Sequence, residues 1–397
     1  MITRDITTEL LQCATEYPVV TILGPRQSGK TTLAKMAFSE RRYFSLEDPD
    51  IRAIAEEDPR GFLDNAGSNC ILDEVQRVPH LLSYIQGIVD QENIKGQFIL
   101  TGSHQPRLHE AISQSLAGRT AMLSLWPFSF SELRNYKDSW SPFELMWKGT
   151  YPGLHQEGIE PRRFYNNYLQ TYLERDVRLL AGLRNLSQFQ SLLTLLAGRV
   201  GQVVNLSSLS NDVGVSSTTI REWLNVLKAT YVIFELPPYF KNIRKRVIKS
   251  SKIYFTDVGV ASYLLGIHNE EQAMRDPLRG NLYENIIISD IFKSAYNKGI
   301  RPEFYFFRDS LGCEVDLLIK EFGKIIPVEI KSAKTFSTSF LKGIKRFRKI
   351  HSGRTENGII LYTGDQEYNI ESHRVINPLQ VNDIWDEVTR DNHLSRE

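Results

Sequence analysis

The chain has 397 residues, of which 48 are lysine or arginine and 47 are aspartate or glutamate, so its formal net charge at pH 7 is +1. This length predicts two or three domains at about 150 residues each, and the near-balance of charge excludes a global attraction to nucleic acid or to a membrane surface. The three cysteines, Cys13, Cys70 and Cys313, lie far apart, which excludes a disulfide framework and a paired zinc knuckle.

The first residues, M-I-T-R-D-I-T-T-E-L, lack the apolar core of a secretory signal. No apolar run approaches the ~20 residues that are needed to cross a bilayer. We therefore expect a soluble protein in the reducing cytoplasm, with no membrane partner. The spacing of Ile6, Leu10, Leu11 and Ala14 predicts an amphipathic helix before the first strand.

The segment from Val19 to Phe38 carries the clearest motif. An apolar run with β-branched residues, V-V-T-I-L, is followed by G-P-R-Q-S-G-K-T and then by a run that is compatible with a helix. Strand, glycine-containing loop and helix, in this order, are typical of a phosphate loop, whose backbone N–H groups point at a bound phosphate. The residues predicted to bind nucleotide are Gly24, Pro25, Arg26, Gln27, Ser28, Gly29, Lys30, Thr31 and Thr32.

The motif also assigns chemistry to two of these side chains. Lys30 is predicted to reach the β- and γ-phosphates, and the Thr31 hydroxyl is predicted to ligate Mg²⁺. The sequence therefore predicts a protein that binds and hydrolyses ATP, with ATP and Mg²⁺ as its cofactors.

A short buried strand, Cys70-Ile71-Leu72, ends in two carboxylates, Asp73 and Glu74. In a phosphate-loop enzyme the acid at the end of this strand holds Mg²⁺, and the next glutamate can orient and deprotonate the attacking water. We assign the first role to Asp73 and the second to Glu74.

Three more polar residues are candidates for the same site. Thr101 or Ser103, at the tip of the next strand, is placed to sense the γ-phosphate, although both residues suit the cap of the following helix equally well. Arg119 is a candidate for stabilising the transferred phosphoryl group, in cis or on a neighbouring subunit, and a surface salt bridge is the alternative. The alternation of strands and helices predicts an α/β fold with a parallel sheet and the ligand at its carboxyl edge.

The motifs G-P-R-Q-S-G-K-T-T, I-L-D-E-V-Q, L-T-G-S and S-L-A-G-R resemble those of the prokaryotic AAA-type ATPases of the ASCE division. W-P-F-S-F-S-E-L from Trp126, Y-P-G from Tyr151 and Y-L-E-R-D from Tyr172 continue the resemblance. It implies an ATPase domain over residues 1–135 and a helical linker over 136–185, with a C-terminal family domain of unknown function. The last two segments suggest no chemistry, and we expect them to pack the linking helices.

Residues 186–266 have the spacing of a helix-turn-helix followed by two β-rich runs, which predicts a winged helix. The predicted elements are helices over 189–197, 205–213 and 217–227 and strands over 231–236 and 252–255. The turn between the strands is basic and contains no acid: it carries Lys241, Arg244, Lys245, Arg246, Lys249 and Lys252. This turn either contacts a nucleic-acid backbone, DNA rather than RNA, or belongs to a lid or subunit contact.

Residues 267–397 contain a second candidate site. Glu284 lies on an otherwise apolar helix, Asp316 on a strand, and Glu329 and Lys331 on one face of the next strand, because strand side chains alternate. Such a set suits metal-dependent phosphodiester cleavage: Asp316 and Glu329 would hold one or two Mg²⁺ or Mn²⁺ ions, and Lys331 would position water and neutralise charge.

The order Glu284, Asp316, Glu329-x-Lys331 resembles the PD-(D/E)XK nuclease superfamily, which implies Glu284 as a further metal ligand. Basic residues nearby are candidates for holding a phosphate backbone. They are Lys334, Lys342, Lys345, Arg346, Arg348 and Lys349.

Three hypotheses for function follow. The first is an ATPase coupled to a metal-dependent nuclease-like domain that acts on DNA or RNA. The second is an ATP-dependent switch that binds DNA or a partner protein and never cuts, and loss of Asp316 or Lys331 would separate these two. The third, a peptide-handling ATPase, is disfavoured because no protease or pore-loop signature is present. A homo-oligomer is compatible with each hypothesis.

Overall fold

The structure is a computed structural model. Within it, the residues described below are 2–103, 106–173, 185–239, 250–351, 353 and 355–393. The chain divides into two compact units. The first unit comprises Met1–Phe128, Ala229–Tyr231 and Tyr296–Ile300, and the second comprises Ser129–Lys228, Val232–Ala295 and Arg301–Glu397. Most of the predicted basic turn, residues 241–249, lies outside the described residues, as do residues 174–176 of the Y-L-E-R-D segment.

The first unit is built on a parallel five-stranded sheet. Its strands are β1 (Val19–Gly24), β2 (Arg42–Ser45), β3 (Cys70–Asp73), β4 (Phe98–Ser103) and β5 (Thr120–Ser124). Their spatial order is β2-β3-β4-β1-β5, and every neighbouring pair is parallel, which confirms the predicted parallel sheet. Because β4 lies between β1 and β3, the loops that follow these three strands meet at one edge of the sheet.

Helices and two apolar clusters cover this sheet. The helices are α1 (Thr7–Glu16), α2 (Lys30–Ala37), α3 (Pro49–Glu57), α4 (Pro59–Ala66), α5 (Leu81–Glu92) and α6 (Pro106–Ser115). Successive strand residues enter different clusters: Leu72 and Leu100 belong to one, and Ile71 and Ile99 to the other. Both faces of the sheet are therefore buried, as a parallel sheet requires, and its carboxyl edge is left for a ligand.

The second unit begins with helices. Those that lie wholly or mostly in it are α7 (Phe130–Arg134), α8 (Pro142–Lys148), α9 (Pro152–Gln156), α10 (Pro161–Asn167), α11 (Leu186–Ala197), α12 (Leu206–Val213), α13 (Ser217–Ala229), α14 (Val258–Leu264), α15 (Glu270–Arg275), α16 (Arg279–Asn297), α17 (Lys342–Ile350) and α18 (Ile384–His393). A π-helical turn, Tyr168–Leu173, follows α10. Strands β6 (Ile233–Leu236) and β7 (Lys252–Phe255) pair antiparallel after α13, and Val203 forms an isolated bridge to Lys252.

The rest of the second unit contains a mixed six-stranded sheet. Its strands are β8 (Glu303–Arg308), β9 (Glu314–Glu321), β10 (Lys324–Lys331), β11 (Ile359–Tyr362), β12 (Tyr368–Ile370) and β13 (His373–Ile376). The order is β12-β13-β11-β10-β9-β8. Strands β8, β9 and β10 form an antiparallel meander, and α17 precedes β11, which runs parallel to β10.

Buried polar contacts hold the helices of the second unit together. Asp257 accepts hydrogen bonds from the Thr150 N–H at 2.6 Å, the Thr150 hydroxyl at 2.8 Å and the Tyr165 hydroxyl at 2.6 Å. Tyr151, the first residue of the Y-P-G segment, donates its hydroxyl to the Tyr168 oxygen at 2.9 Å. The Y-P-G segment thus lies in a helix-packing network of the second unit.

The cysteines and the apolar helices were the subject of two expectations about the chain. Cys13, Cys70 and Cys313 are free thiols in the fold, and Cys13 and Cys70 are buried. Among the residues that the structure describes, no helix combines the length and the apolar character that a membrane span needs.

Asp290 on α16 provides a measurable test of this packing. Its carboxylate is buried and accepts a hydrogen bond from the Phe130 N–H at 2.8 Å, at the start of α7. Burial raises its pKa to about 7, against the opposing effect of Lys293. The folded chain therefore holds this proton more tightly than the unfolded chain, whose aspartate pKa is about 3.9.

We expect the free energy of unfolding of the wild type, relative to Asp290→Asn, to fall by roughly 3 kcal/mol as the pH rises from about 4 to about 7. Asparagine keeps the acceptor oxygen and removes the titration. Urea denaturation of both proteins at several pH values measures the difference. Parallel stability curves across this pH range would show that Asp290 is ionised in the folded state.

Candidate functional site

The loop between β1 and α2 curls around the Lys30 side chain. Lys30 is buried, and its ammonium donates to the carbonyl oxygens of Pro25 at 2.7 Å and Gly24 at 3.2 Å. The Ser28 hydroxyl also donates to the Pro25 carbonyl, at 3.0 Å. Gly29 has φ 90°, a conformation that favours glycine and that turns the chain into α2.

The other predicted loop residues lie in the same turn. Arg26 is half-buried and Gln27 is exposed in a left-handed conformation with φ 60°, while Thr31 and Thr32 stand in the first turn of α2. The predicted nucleotide-binding residues are therefore contiguous in space as well as in sequence. Their backbone N–H groups lie at a helix N-terminus, where an anion is favoured.

Gly24 allows the loop to approach β5 closely. A Cβ atom built at Gly24 would lie 2.1 Å from the Leu125 carbonyl oxygen, well inside the contact distance that any side chain tolerates. The first glycine of the motif is therefore required by packing behind the loop.

Arg4 is a contact of this loop that the sequence analysis missed. Its guanidinium donates to the Ser28 carbonyl at 2.8 Å and to the Trp126 carbonyl at 2.6 Å, and it lies 4.9 Å from the centre of the Phe128 ring. Arg4 is only 8% exposed, so these bonds are shielded from water. The partners are 24 and 122 residues away in sequence, and no local sequence pattern predicts these contacts.

Asp73, at the end of β3, gathers hydroxyl groups from three elements. The Thr31 hydroxyl lies 3.0 Å from each carboxylate oxygen, and the Tyr43 hydroxyl donates at 2.7 Å. The Thr101 hydroxyl donates from the neighbouring strand β4. Burial, followed by the bond to Asp73, raises the pKa of Tyr43, which keeps that hydroxyl protonated. Tyr43 was not predicted as a site residue.

Glu74 and Ser103 complete this edge of the sheet. Glu74 has φ 61°, a left-handed conformation that is uncommon for a residue with a side chain, and its carboxylate accepts a hydrogen bond from the Gln76 amide. Ser103 is buried, and its hydroxyl has no hydrogen-bond partner within the described residues. An unpaired buried hydroxyl at the tip of β4 is suited to a polar ligand.

The structure contradicts an in-cis phosphate contact for Arg119. This residue precedes β5, and its carbonyl accepts from the Val19 N–H, so it lies at the amino end of the strands, opposite the phosphate loop. Its guanidinium forms a surface ion pair with Asp90, with Nε 2.5 Å from Oδ1. The alternative that the sequence left open, a surface salt bridge, is what the structure contains. A role on a neighbouring subunit stays a prediction.

The residues at the carboxyl edge fit a magnesium nucleotide. Hydroxyl and carboxylate oxygens, such as those of Thr31 and Asp73, are the ligands that Mg²⁺ prefers. A buried ammonium, a helix N-terminus and the unpaired Ser103 hydroxyl offer donors to phosphate oxygens. The donor set of this edge thus matches ATP with Mg²⁺.

A second cluster of charged side chains lies in the second unit, around β9 and β10. The Lys331 ammonium is 2.7 Å from Glu329 Oε1 and 3.1 Å from Asp316 Oδ2. Asp316 also accepts from the Ile330 N–H at 2.8 Å. We name this cluster the acidic site; its members are Lys252, Glu284, Glu314, Asp316, Glu329 and Lys331.

The other half of the acidic site is centred on Lys252. Its ammonium is 2.9 Å from Glu284 Oε1 and is also paired with Glu314. The Tyr254 hydroxyl donates to the same oxygen of Glu284. Lys252 was predicted both as the end of the basic turn and as the first residue of the strand over 252–255. The structure places it on β7, buried, with a side chain that is 4% exposed.

A cavity of about 670 Å³ opens beside Asp316, Glu329 and Lys331. Glu329 is 8% exposed, and its Oε2 atom is buried without a hydrogen-bond partner among the described residues. Gly343 on α17 approaches this oxygen, because a Cβ atom built there would lie 3.4 Å from it. Glu329 therefore lines the cavity and carries one buried carboxylate oxygen without a hydrogen-bond partner among the described residues.

Burial, together with the charge of Asp316, raises the pKa values of two glutamates in the acidic site. Burial, and then the charge of Asp316, raises the pKa of Glu329 to about 8 and that of Glu284 to about 7. Burial by itself would lower the pKa of Lys252 and of Lys331, but the surrounding carboxylates raise both. The site therefore holds its lysines charged and has more carboxylates than it neutralises.

The structure does not assemble the predicted three-carboxylate set of metal ligands. In the described part of the chain, no group of three or more His, Cys, Asp or Glu side chains is arranged to hold a metal ion. At the acidic site the reason is visible: Lys252 pairs with Glu284, while Lys331 joins Asp316 and Glu329.

Two of the predicted backbone-binding cations also have carboxylate partners. Lys345 pairs with Glu371 at 2.6 Å, and Arg346 pairs with Asp309 at 3.2 Å. Lys342 and Arg346 line the cavity beside the acidic site. A basic rim is therefore present on α17, although part of its charge is neutralised.

The five-stranded parallel sheet and the phosphate loop define the class of this protein: a phosphate-loop ATPase of the AAA type. Residues 16–134 match the family described as AAA domain. Residues 140–271 and 279–381 match two domains of unknown function, DUF8612 and DUF4143. ATP is the nucleotide of this class, usually with Mg²⁺, so ATP binding and hydrolysis follow from the match.

Two relatives match most of the chain. The uncharacterized protein Rv2008c of Mycobacterium tuberculosis is 30% identical over 341 residues, which cover 85% of this chain and 75% of that protein. The uncharacterized protein MJ1637 of Methanocaldococcus jannaschii is 24% identical over 382 residues, covering 83% of this chain and 79% of that protein. The chain therefore belongs to the family of AAA-domain proteins that includes Rv2008c.

Among solved structures, the Walker-type ATPase PABY2304 of Pyrococcus abyssi matches with a TM-score of 0.43 and 18% sequence identity. The match covers 67% of this chain and 96% of that chain.

The close approach at Gly24 gives a direct test of the loop. We expect Gly24→Ala to weaken ATP binding at least about tenfold, because the added methyl group displaces the loop from the Leu125 carbonyl. Gly87→Ala is the matched control, since a Cβ atom on that helical glycine meets nothing within 4 Å. Titration with a fluorescent ATP analogue compares both with the wild type, and equal affinity of Gly24→Ala would contradict the packing argument.

Proposed function

We propose that this ATPase is coupled to a metal-dependent, phosphodiester-cleaving site in its second unit, which acts on DNA or RNA. The observation that carries the proposal is the convergence of Asp316, Glu329 and Lys331 on one cavity, with a buried carboxylate oxygen of Glu329 unpaired. The family match supports the ATPase class, and the residue roles and the cleavage are the proposal.

In the ATPase unit, Lys30 leaves the Pro25 and Gly24 carbonyls and binds the β- and γ-phosphates. Thr31 and Asp73 would hold Mg²⁺, which would neutralise phosphate charge, and Tyr43 and Thr101 orient Asp73 by donating to it. Glu74 takes a proton from water as the water oxygen bonds to the γ-phosphorus and the bond to the β–γ bridging oxygen breaks. Ser103 donates to the γ-phosphate.

The role of Glu74 separates binding from hydrolysis. We expect Glu74→Gln to bind ATP with near-normal affinity and to hydrolyse it about 10² to 10⁴ times more slowly, because glutamine cannot accept the proton of water. Lys30→Ala should lose both properties. Phosphate release and nucleotide titration on the same samples measure the two effects.

Glu47→Gln is the matched control, since Glu47 forms only a surface pair with Arg77 and its side chain is 58% exposed. Hydrolysis at the wild-type rate by Glu74→Gln would assign the base to another residue.

At the acidic site, Asp316 and Glu329 would hold a divalent cation, which polarises the scissile phosphate. Lys331, 2.7 Å from Glu329, positions the attacking water and stabilises the negative charge that develops on the phosphate oxygens. The attacking water loses a proton to bulk water as its oxygen bonds to phosphorus, one P–O ester bond breaks, and the leaving oxygen takes a proton from bulk water. Lys342 and Arg346, which line the same cavity, contact the phosphate backbone.

A winged helix would bring nucleic acid to this site. Helices α11 to α13, the β6–β7 pair and the Val203–Lys252 bridge have the order and pairing of that fold. The basic residues of the predicted turn, within 241–249, would supply positive charge for a phosphate backbone on a chain whose net charge is close to zero.

Cleavage of labelled single- and double-stranded DNA and RNA with Mg²⁺ or Mn²⁺, with and without ATP, tests this proposal. We expect Asp316→Asn and Lys331→Ala to lose at least about 10²-fold in rate, since each removes a group that acts on the reacting phosphate. Lys30→Ala should alter the dependence on ATP.

Lys320→Ala is the matched control, because Lys320 lies on the neighbouring strand and pairs at the surface with Glu303. If the wild type hydrolyses ATP and cuts no substrate under any of these conditions, the proposal fails. The ATP-dependent switch that binds without cutting then replaces it.

A further inference from the structure

The guanidinium of Arg4 bridges two backbone carbonyls that lie far apart in the sequence. One terminal nitrogen donates to the Ser28 carbonyl of the phosphate loop at 2.8 Å, and the other donates to the Trp126 carbonyl at 2.6 Å. The side chain is buried, so water competes little for either bond. Both bonds involve a charged donor, which makes them stronger than hydrogen bonds between neutral groups.

The Trp126 carbonyl belongs to a residue whose side chain is closely packed. Its ring is buried and lies against Tyr231, with ring centres 5.4 Å apart, and against Tyr296, with ring centres 5.5 Å apart. All three aromatic residues belong to the first unit. Arg4 therefore ties the phosphate loop to a well-packed part of the same unit.

The bond to Ser28 orients the peptide group between Ser28 and Gly29. This peptide bond is trans, so its N–H, which belongs to Gly29, points in the direction opposite to the Ser28 carbonyl. The helix α2 fixes the next peptide group, because the Gly29 carbonyl accepts a helical hydrogen bond from the Leu33 N–H at 2.9 Å. By binding the Ser28 carbonyl, Arg4 turns the Gly29 N–H away from itself.

Glycine makes this orientation dependent on a contact from outside the loop. Gly29 has φ 90°, and glycine accepts positive and negative φ almost equally, so the peptide group before it can rotate at little cost. In a phosphate loop, backbone N–H groups that point inward bind the phosphate oxygens. A rotated Ser28–Gly29 peptide would present a carbonyl oxygen in place of an N–H and would repel the phosphate.

We propose that Arg4 is a positioning residue of the ATPase: by holding the Ser28 carbonyl, it directs the Gly29 N–H to a phosphate oxygen of the bound nucleotide. The inference rests on the proposed nucleotide site, because it requires phosphate at the loop. It extends that site to the segment before α1, which the motif does not include. Since the backbone of such a loop cradles the α- and β-phosphates, ATP and ADP depend on Arg4 alike.

Nucleotide affinity tests the proposal, with an arginine at the opposite edge of the sheet as the control. Calorimetric titration of the full chain should show that Arg4→Met weakens the binding of ATP and of ADP at least about tenfold, since a charged acceptor loses one N–H donor. Arg41→Met is the matched control, because Arg41 also donates to a backbone carbonyl, that of Gly96, and lies 4.4 Å from the centre of the Phe38 ring.

Arg41 precedes β2, at the amino end of the strands, so its loss should leave both affinities within about threefold of wild type. Melting temperatures of the two variants are measured alongside. A loss of stability that is common to both variants cannot explain a loss of affinity that only Arg4→Met shows.

Nuclear magnetic resonance follows the Gly29 N–H directly. Ser28–Gly29 and Ser352–Gly353 are the two serine–glycine pairs of the sequence. Cell-free synthesis with ¹³C-carbonyl serine and ¹⁵N-glycine therefore yields two amide signals that are selected by their carbon partner, and Ser352→Ala identifies the Gly353 signal by removing it. At saturating ADP we expect the Gly29 proton signal to move downfield in the wild type and in Arg41→Met, but not in Arg4→Met, while the Gly353 signal stays in place.

Arg4→Lys guards against a failure of Arg4→Met to fold. It keeps the charge, but its single nitrogen does not reproduce the two-nitrogen bridge of a guanidinium, so we expect ADP affinity about threefold to tenfold below wild type. Wild-type affinity in Arg4→Lys or in a folded Arg4→Met would overturn the inference, as would a downfield Gly29 signal in Arg4→Met saturated with ADP. Absence of ATP and ADP binding by the wild type would overturn the proposed nucleotide site, and the inference with it.

Discussion

A charged group that is removed from water needs an opposite charge or hydrogen bonds, and both sites of this chain are arranged around that requirement. In the ATPase unit, the Lys30 ammonium is held by loop carbonyls and the Asp73 carboxylate by hydroxyl groups. In the second unit, two lysines and four carboxylates compensate one another only in part. In the ATPase unit, hydrogen bonds compensate both charged groups in the absence of a ligand. In the second unit, the carboxylates outnumber the lysines, and an excess of negative charge remains.

The order of the parallel strands brings the groups that hold these charges together at one edge of the sheet. Placing β4 between β1 and β3 brings Thr101 beside Asp73 and sets both next to the phosphate loop. Arg4 then fixes the loop from behind by binding the Ser28 and Trp126 carbonyls. The shape of the phosphate loop therefore depends on residues outside the motif, such as Arg4 before β1 and Trp126 after β5.

Residues at strand ends were predictable because a parallel sheet brings its carboxyl ends to one edge whatever the order of the strands. This reasoning placed Lys30, Thr31, Asp73 and Thr101 at one site from sequence alone. The in-cis role predicted for Arg119 did not rest on this reasoning: the residue precedes β5 and so lies at the opposite edge, where Asp90 binds it. The same reasoning missed Tyr43, because a tyrosine on an outer strand carries no motif that distinguishes it from a core residue.

The sequence by itself determined the phosphate loop, the parallel α/β class and the alternation that puts Glu329 and Lys331 on one face of β10, since each follows from residues close together in the chain. Only the tertiary structure decided the partners of Lys252. In sequence it ends a basic run and begins a predicted strand, and in the fold it is buried against Glu284, 32 residues away. The physical reason is that the charges which balance one another in a buried cluster come from distant parts of the chain. A local sequence pattern therefore cannot predict which of them pair.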